Sequence, residues 1–165
     1  MSQTIRILLL EDDAELLTVI RESLEDEGYE VLAVQSGEDA LGLSHQQDLD
    51  LLVTDVRLPG IDGLDTLLRV REFHPDLRGI VMTGYASEAD TIRAMRLGVG
   101  EYLKKPFALD HFLEVVRGLA AQIRERRLER QEWKAYEQLL GWALQQRLLG
   151  SSESAGYVQS GSGKT

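Results

Sequence analysis

The chain has no cysteine among its 165 residues. Disulfides and thiolate metal centres are therefore excluded. It also lacks any apolar run long enough to span a bilayer. The start, Met1-Ser2-Gln3-Thr4, passes at once into a strand-like apolar run and has none of the layout of a signal peptide. A soluble cytoplasmic protein with no membrane partner is expected. Proline is scarce: Pro59, Pro75 and Pro106 each fall where a regular element must end. No repeat of fixed period is visible. Basic charge is in short supply, with a net charge of −10. Residues 1–120 hold 11 Lys/Arg against 23 Asp/Glu, a net of −12, and residues 121–165 hold 7 against 5, a net of +2. The first part repels nucleic acid, and the second is too weakly basic to predict DNA binding.

What remains is a globular composition, 43% hydrophobic and 28% charged, with room for one ordinary domain and an appendage. The chain is organised around Asp50-Leu51-Leu52-Val53-Thr54-Asp55. A short all-apolar run bounded by turn signals suits a strand buried on both faces of a parallel sheet. The run ends in a carboxylate, and Pro59, Gly60 and Gly63 forbid simple continuation. Asp55 then lies at the strand's carboxyl end, where open α/β sheets place their ligand sites. Taken alone it could equally start a turn.

Four more strand–helix units surround this one. Ile5 to Leu10 reads as a buried strand, followed by Leu16, Leu17, Ile20 and Leu24 at helical spacing and by Gly28 as a helix stop. A strand around Val31 and Ala33 leads to Ser36, a hydroxyl cap for a helix carrying Ala40, Leu41 and Leu43. Leu64, Leu67, Leu68 and Val70 form a helical face that closes before Pro75. Gly79 to Thr83 is a fourth strand, and Ser87 begins a helix through Met95 and Leu97. Glu101 to Lys104 is a fifth strand, and Leu109 to Leu119 a fifth amphipathic helix. Five such units predict a doubly wound α/β fold, a parallel sheet with helices on both faces.

Polar residues collect at the predicted carboxyl ends of four strands: Asp12 and Asp13, Asp55, Thr83, and Lys105. In a parallel sheet all of these ends share one edge. Converging carboxylates repel one another, and a divalent cation relieves the repulsion. An all-oxygen donor set suits Mg²⁺, and the absence of His or Cys from it argues against zinc or copper. His45, His74 and His111 fall in helix or loop regions away from this edge. A carboxylate nucleophile, a hard cation, the Lys105 ammonium and the Thr83 hydroxyl make a plausible phosphoryl-transfer site. Other uses stay open: Asp12 and Asp13 as helix caps, Thr83 as a routine strand end, Tyr102 as packing.

Residues 4–120 resemble the receiver domain of bacterial two-component response regulators. The matching pieces are Leu10-Glu11-Asp12-Asp13, Val53 to Gly63, Met82-Thr83-Gly84-Tyr85, and Tyr102-Leu103-Lys104-Lys105-Pro106-Phe107. The resemblance implies a five-stranded flavodoxin-like sheet of order 2-1-3-4-5. It implies Asp55 as phosphoacceptor, and Asp12, Asp13, Asp55 and the Arg57 backbone carbonyl as Mg²⁺ ligands. Thr83 and Tyr102 match the switch residues, and Lys105, directly before Pro106, matches the family's lysine; the peptide between those two is expected to be cis. Glu11 is read only as a neighbour. The implied partner is a sensor histidine kinase or phosphotransfer protein, and the implied role is a switch, with at most slow self-dephosphorylation. A phosphohydrolase on a similar fold would carry a second acid two residues after the nucleophile, where this chain has Arg57.

Residues 121–149 predict a helical extension. It contains no proline, and only Gly141 weakens it. Gln122 to Glu132 alternates in sign as on an exposed helix. Trp133, Tyr136, Leu140 and Ala143 then recur at coiled-coil spacing. Such a helix wants a partner: a second copy, the receiver itself, or an output domain. Two forms of output are open, namely dimerisation or docking through this helix or the domain's last helix–strand–helix face, and a longer protein with a DNA-binding or enzymatic domain beyond. Residues 150–165 are Gly/Ser-rich and expected to be disordered. Their ending, Gly161 to Thr165, has Val158 where a phosphate-binding loop needs glycine, and is rejected as a nucleotide site.

Overall fold

The computed structural model describes residues 4–85 and 87–153. Five strands form one parallel sheet: β1 (Arg6–Leu10), β2 (Glu30–Val34), β3 (Leu51–Asp55), β4 (Arg78–Thr83) and β5 (Glu101–Lys104). Their order is β2-β1-β3-β4-β5, the doubly wound order that the receiver resemblance implies. Helices α1 (Ala14–Asp26), α2 (Gly37–Ser44), α3 (Gly63–Phe73), α4 (Glu88–Arg96) and α5 (Leu109–Glu153) connect or follow the strands.

Alternation along the strands builds two cores. Ile7 and Leu9 of β1 point with Val53 of β3 to one face, where they meet Ile20 and Leu24 of α1 and Phe112, Val116 and Leu119 of α5. Leu8 and Leu10 point to the other face, with Leu52, Ala40 of α2, and Leu67 and Val70 of α3. A smaller cluster of Val56, Leu64, Val81 and Ala94 seats α4. β3 lies in the middle of the sheet and is buried along its whole length, which its apolar run requires.

The helix starts follow side-chain capping. Ser36 accepts the Asp39 N–H, Ser87 the Asp90 N–H, and Asp62 the Asp65 N–H. Gly28 ends α1 and Gly98 follows α4 in the left-handed conformation that glycine adopts most readily.

By internal contacts the chain divides into two compact units after Ile123. In the second unit, α5 continues to Glu153, four residues past the expected end of the helical extension. Leu128, Trp133, Tyr136, Leu140, Trp142 and Leu144 are all exposed there. Trp133 and Tyr136 meet edge to face at 6.1 Å, the one-turn contact that their spacing allows. The remainder of the Gly/Ser-rich tail, with its Gly161–Thr165 ending, lies outside the described residues.

Candidate functional site

β3 carries Asp55 to the carboxyl edge of the sheet as its last residue, opposite Met82 of β4. The side chain is held at both oxygens. Oδ1 accepts the Arg57 N–H at 3.0 Å, and Oδ2 accepts from the Lys105 ammonium at 2.6 Å. Lys105 follows β5, and its peptide bond to Pro106 is cis. Its Nζ also reaches Glu11 Oε2 at 2.7 Å. Asp55 is 8% exposed and Glu11 1%. Three chain segments, the ends of β1, β3 and β5, thus meet around one cation.

The acidic cluster differs from the expected one. Oxygens of Glu11, Asp12 and Asp55 lie within 4.8 Å of one another. Asp13, expected beside Asp12, turns away: its Oδ1 accepts the N–H groups of Glu15 and Leu16 and caps α1. The reason lies in where β1 stops. Leu10 is its last residue, so Glu11 and Asp12 are the first two off the strand, and Asp13 already holds the N-cap position. Glu11 is the residue that sequence reasoning passed over. Its signal was its place directly after the buried run.

Burial raises the Glu11 pKa above the usual carboxylate value, although the Lys105 ammonium and the Asp13 N–H pull it down. For Lys105, burial acts to lower the pKa, but hydrogen bonds to Asp55 and Glu11 overcome it and the net shift is upward. The Lys105 contribution to stability is therefore complete at neutral pH and is lost only in alkali beyond its raised pKa. Glu11 has the opposite effect on folding. A carboxyl with a raised native pKa makes its favourable contribution below its unfolded pKa and loses it as pH rises through the native value, so ionised Glu11 costs stability at pH 7. Glu11→Gln should weaken Mg²⁺ binding, measured by calorimetric titration of the metal-free variant beside wild type.

The other expected residues are placed as follows. Thr83 ends β4, fully buried, and its hydroxyl donates to the Tyr85 carbonyl at 3.2 Å and accepts the Tyr85 N–H at 3.3 Å. It serves the turn after β4. Tyr102, on β5, packs beside Val81 and Ala94, and its hydroxyl is buried with no hydrogen-bond partner among the described residues. Arg57 follows Asp55 by two residues, and its side chain leaves the site toward α4. Lys104 is exposed.

An oxygen-only cluster with a buried acid, beside a lysine that offsets one of its charges, fits a hard divalent cation such as Mg²⁺ and gives soft metals no ligand. Among the described residues no helix is long and apolar enough to cross a membrane.

The model of the response regulator receiver domain family matches residues 7–117. The chain is 38% identical over 133 residues to the transcriptional regulatory protein CpxR of Escherichia coli, covering 81% of this chain and 53% of that protein. It is 33% identical over 115 residues to the transcriptional regulatory protein TrcR of Mycobacterium tuberculosis, covering 70% and 45%. The chain spans about half the length of these two relatives. Among solved structures, the non-phosphorylated HemR receiver domain of Leptospira biflexa aligns with a TM-score of 0.67 at 32% identity, over 71% of this chain and 94% of that one. Response regulator TrrA of Thermotoga maritima, in complex with Mg²⁺ and beryllofluoride, aligns with a TM-score of 0.63 at 30% identity, over 70% and 99%. The chain belongs to the response regulator receiver domain family of two-component signalling.

Proposed function

We propose that this chain is a phosphoacceptor switch in which Asp55 takes a phosphoryl group from a phosphohistidine on a sensor histidine kinase or phosphotransfer protein. The observation that carries this reading is the placement of Asp55: a nearly buried carboxylate at the carboxyl edge of the sheet, with Lys105 at 2.6 Å and an acidic cluster beside it. The Asp55 carboxylate forms the new O–P bond as the histidine N–P bond breaks, and the histidine leaves neutral or protonated. Lys105 holds its charge next to the oxygens that the phosphoryl group brings. Glu11, Asp12, Asp55 and the Arg57 backbone carbonyl would hold Mg²⁺, whose charge, when bound, offsets that of the incoming group. Asp13 remains the α1 cap. TrrA, solved with Mg²⁺ and a phosphoryl mimic, supports both metal and acceptor.

Thr83 and Tyr102 are the switch residues in this reading. The Thr83 hydroxyl exchanges its turn contacts for the phosphoryl group, and Tyr102, lacking a partner for its hydroxyl, repacks with it. The output surface is the α4-β5-α5 face together with the helix that follows, and it controls dimerisation or partner binding. We take residues 4–120 as the receiver and 121–149 as the helical extension, in a cytoplasmic protein without direct nucleic-acid contact. The chain turns over no outside substrate.

A second reading is favoured by the two transcriptional regulators, each about twice the length of the matched part. Here the chain is the N-terminal regulatory portion of a longer protein with a DNA-binding or enzymatic output.

Incubation with a small acyl phosphate donor tests the phosphoacceptor reading. Intact mass should show one added phosphoryl group with Mg²⁺, none with EDTA, and loss of the group in hydroxylamine. Equal labelling with EDTA would remove the metal from the mechanism, and labelling that survives hydroxylamine would remove the acyl phosphate.

A further inference from the structure

Two arginines bridge α4 and the segment that runs from Asp55 into α3, in opposite directions. Arg57 starts in the site: its N–H holds Asp55 Oδ1. Its guanidinium reaches Asp90 in the first turn of α4 at 2.9 Å and lies 5.7 Å over the Tyr85 ring. Arg93, one turn further along α4, reaches back to the start of α3. It pairs with Asp62 at 2.7 Å and also with Asp65. The cleft between the β3–α3 loop and α4, about 350 Å³, is lined by Arg57, Pro59, Asp62 and Asp90 among others, and the Arg57–Asp90 pair joins its two sides. The other end of α4 is fixed differently. Arg71 of α3 donates to the carbonyls of Leu97 and Gly98, satisfying the helix C-terminus without any carboxylate.

We propose that Arg57 and Arg93 form an autoinhibitory ionic clasp. It holds the N-terminal half of α4 against the β3–α3 loop and α3, while Arg71 anchors the C-terminal end as a pivot. Because Arg57 touches Asp55 by its backbone and Asp90 by its side chain, a new group on Asp55 acts on the clasp through one residue. Loading the site then opposes the clasp, and a weaker clasp lets the site load at lower ligand concentration. This rests on the phosphoacceptor reading, but the holding of α4 can be measured without it.

The clasp is testable through Arg93, which lies outside the proposed acceptor and metal ligands. In Mg²⁺-free protein, Arg93→Gln should speed amide exchange of residues 88–96 roughly two- to fivefold, the scale of partly exposed ion pairs. Glutamine keeps helix propensity close to that of arginine, so a local helix defect does not mimic the result. Asp65→Asn, which leaves α4 untouched, should act in the same direction, and Arg93→Lys should restore part of the protection. The beryllofluoride concentration that half-saturates the protein in Mg²⁺ should fall by a similar factor in Arg93→Gln. That tightening opposes the loss of a positive charge, so simple electrostatics predicts the reverse. Unchanged exchange in Arg93→Gln overturns the clasp. Faster exchange with unchanged half-saturation overturns its coupling to the site. Wild-type protein that fails to take up beryllofluoride overturns the phosphoacceptor reading instead, and exchange alone then decides whether α4 is clasped. Additive effects of Arg57→Gln and Asp90→Asn on exchange would remove Arg57 from the clasp.

Discussion

Asp55→Asn should reduce phosphoryl labelling to background and abolish beryllofluoride uptake. The neighbouring acids cannot take over. Glu11 is almost fully buried and already paired with Lys105, and Asp12 stands on the exposed side of the cluster. Asp55 ends the central strand at the carboxyl edge of the sheet, 8% exposed against 1% for Glu11, with Lys105 at 2.6 Å from its Oδ2. The amide keeps the size of the side chain but is a poor nucleophile and a weaker metal ligand. It also leaves Lys105 with Glu11 as its one remaining carboxylate partner among the described residues, and the fold should survive that change. Circular dichroism and urea denaturation on the variant would separate loss of chemistry from loss of structure. Labelling at wild-type stoichiometry in a folded Asp55→Asn protein would rule out Asp55 as the acceptor.

Gly63→Ala should be the most damaging single-methyl change in the domain. A Cβ built at Gly63 falls 1.8 Å from the Asp55 carbonyl oxygen and 2.5 Å from Thr54 Oγ1. Neither neighbour can give way. The Asp55 carbonyl belongs to the central strand and accepts the Thr54 hydroxyl, and the Gly63 N–H is itself tied to the Val56 carbonyl at 3.0 Å. Either α3 retreats from the sheet or the end of β3 shifts, and the second outcome moves Asp55. A loss of at least about 3 kcal/mol is expected, at the upper end for overpacking because the obstacle is backbone. Gly118→Ala provides the contrast. That glycine lies within α5, is exposed, and has nothing within 4 Å of the added methyl. Alanine there should stabilise by about 0.5–1 kcal/mol through helix propensity. Urea midpoints of the two variants should therefore move in opposite directions, and a Gly63→Ala protein as stable as wild type would contradict the close approach of α3 to β3.

Much of this arrangement was legible in the chain because it rests on local rules. The run Leu51-Leu52-Val53 had to be buried on both faces, and a carboxylate at its end had to lie on the ligand edge. Ser36 and Ser87 cap helices where their sequence context placed them. The acidic cluster was less legible. Three consecutive acids offer three ways to choose a pair, and only the exact end of β1 tells the N-cap residue from the two before it. The contacts of Arg57 and Arg93 were beyond sequence reasoning altogether. Their partners stand 28 to 33 positions away, and an arginine on a surface helix has many acids within possible reach. The direction of the Thr83 hydroxyl was equally hidden, since a strand-end threonine can serve its own turn or the site.

The strand order has a consequence for how the protein is made. Every neighbouring pair in this sheet is parallel, so no strand can pair until a crossover has been laid down between them. The contact of Arg6 with Asp50, which accompanies the pairing of β1 with β3, closes 44 positions of chain. Lys105 is 50 positions from Asp55 and 94 from Glu11. The site is thus among the most non-local features of the fold, and its assembly carries loop-closure entropy that the helices do not. During synthesis Asp55 emerges long before Lys105, and until β5 is added the carboxylates face one another without their lysine. The carboxylate–lysine constellation is complete only after the last strand, so a nascent or truncated chain ending before β5 has Asp55 but not the site around it.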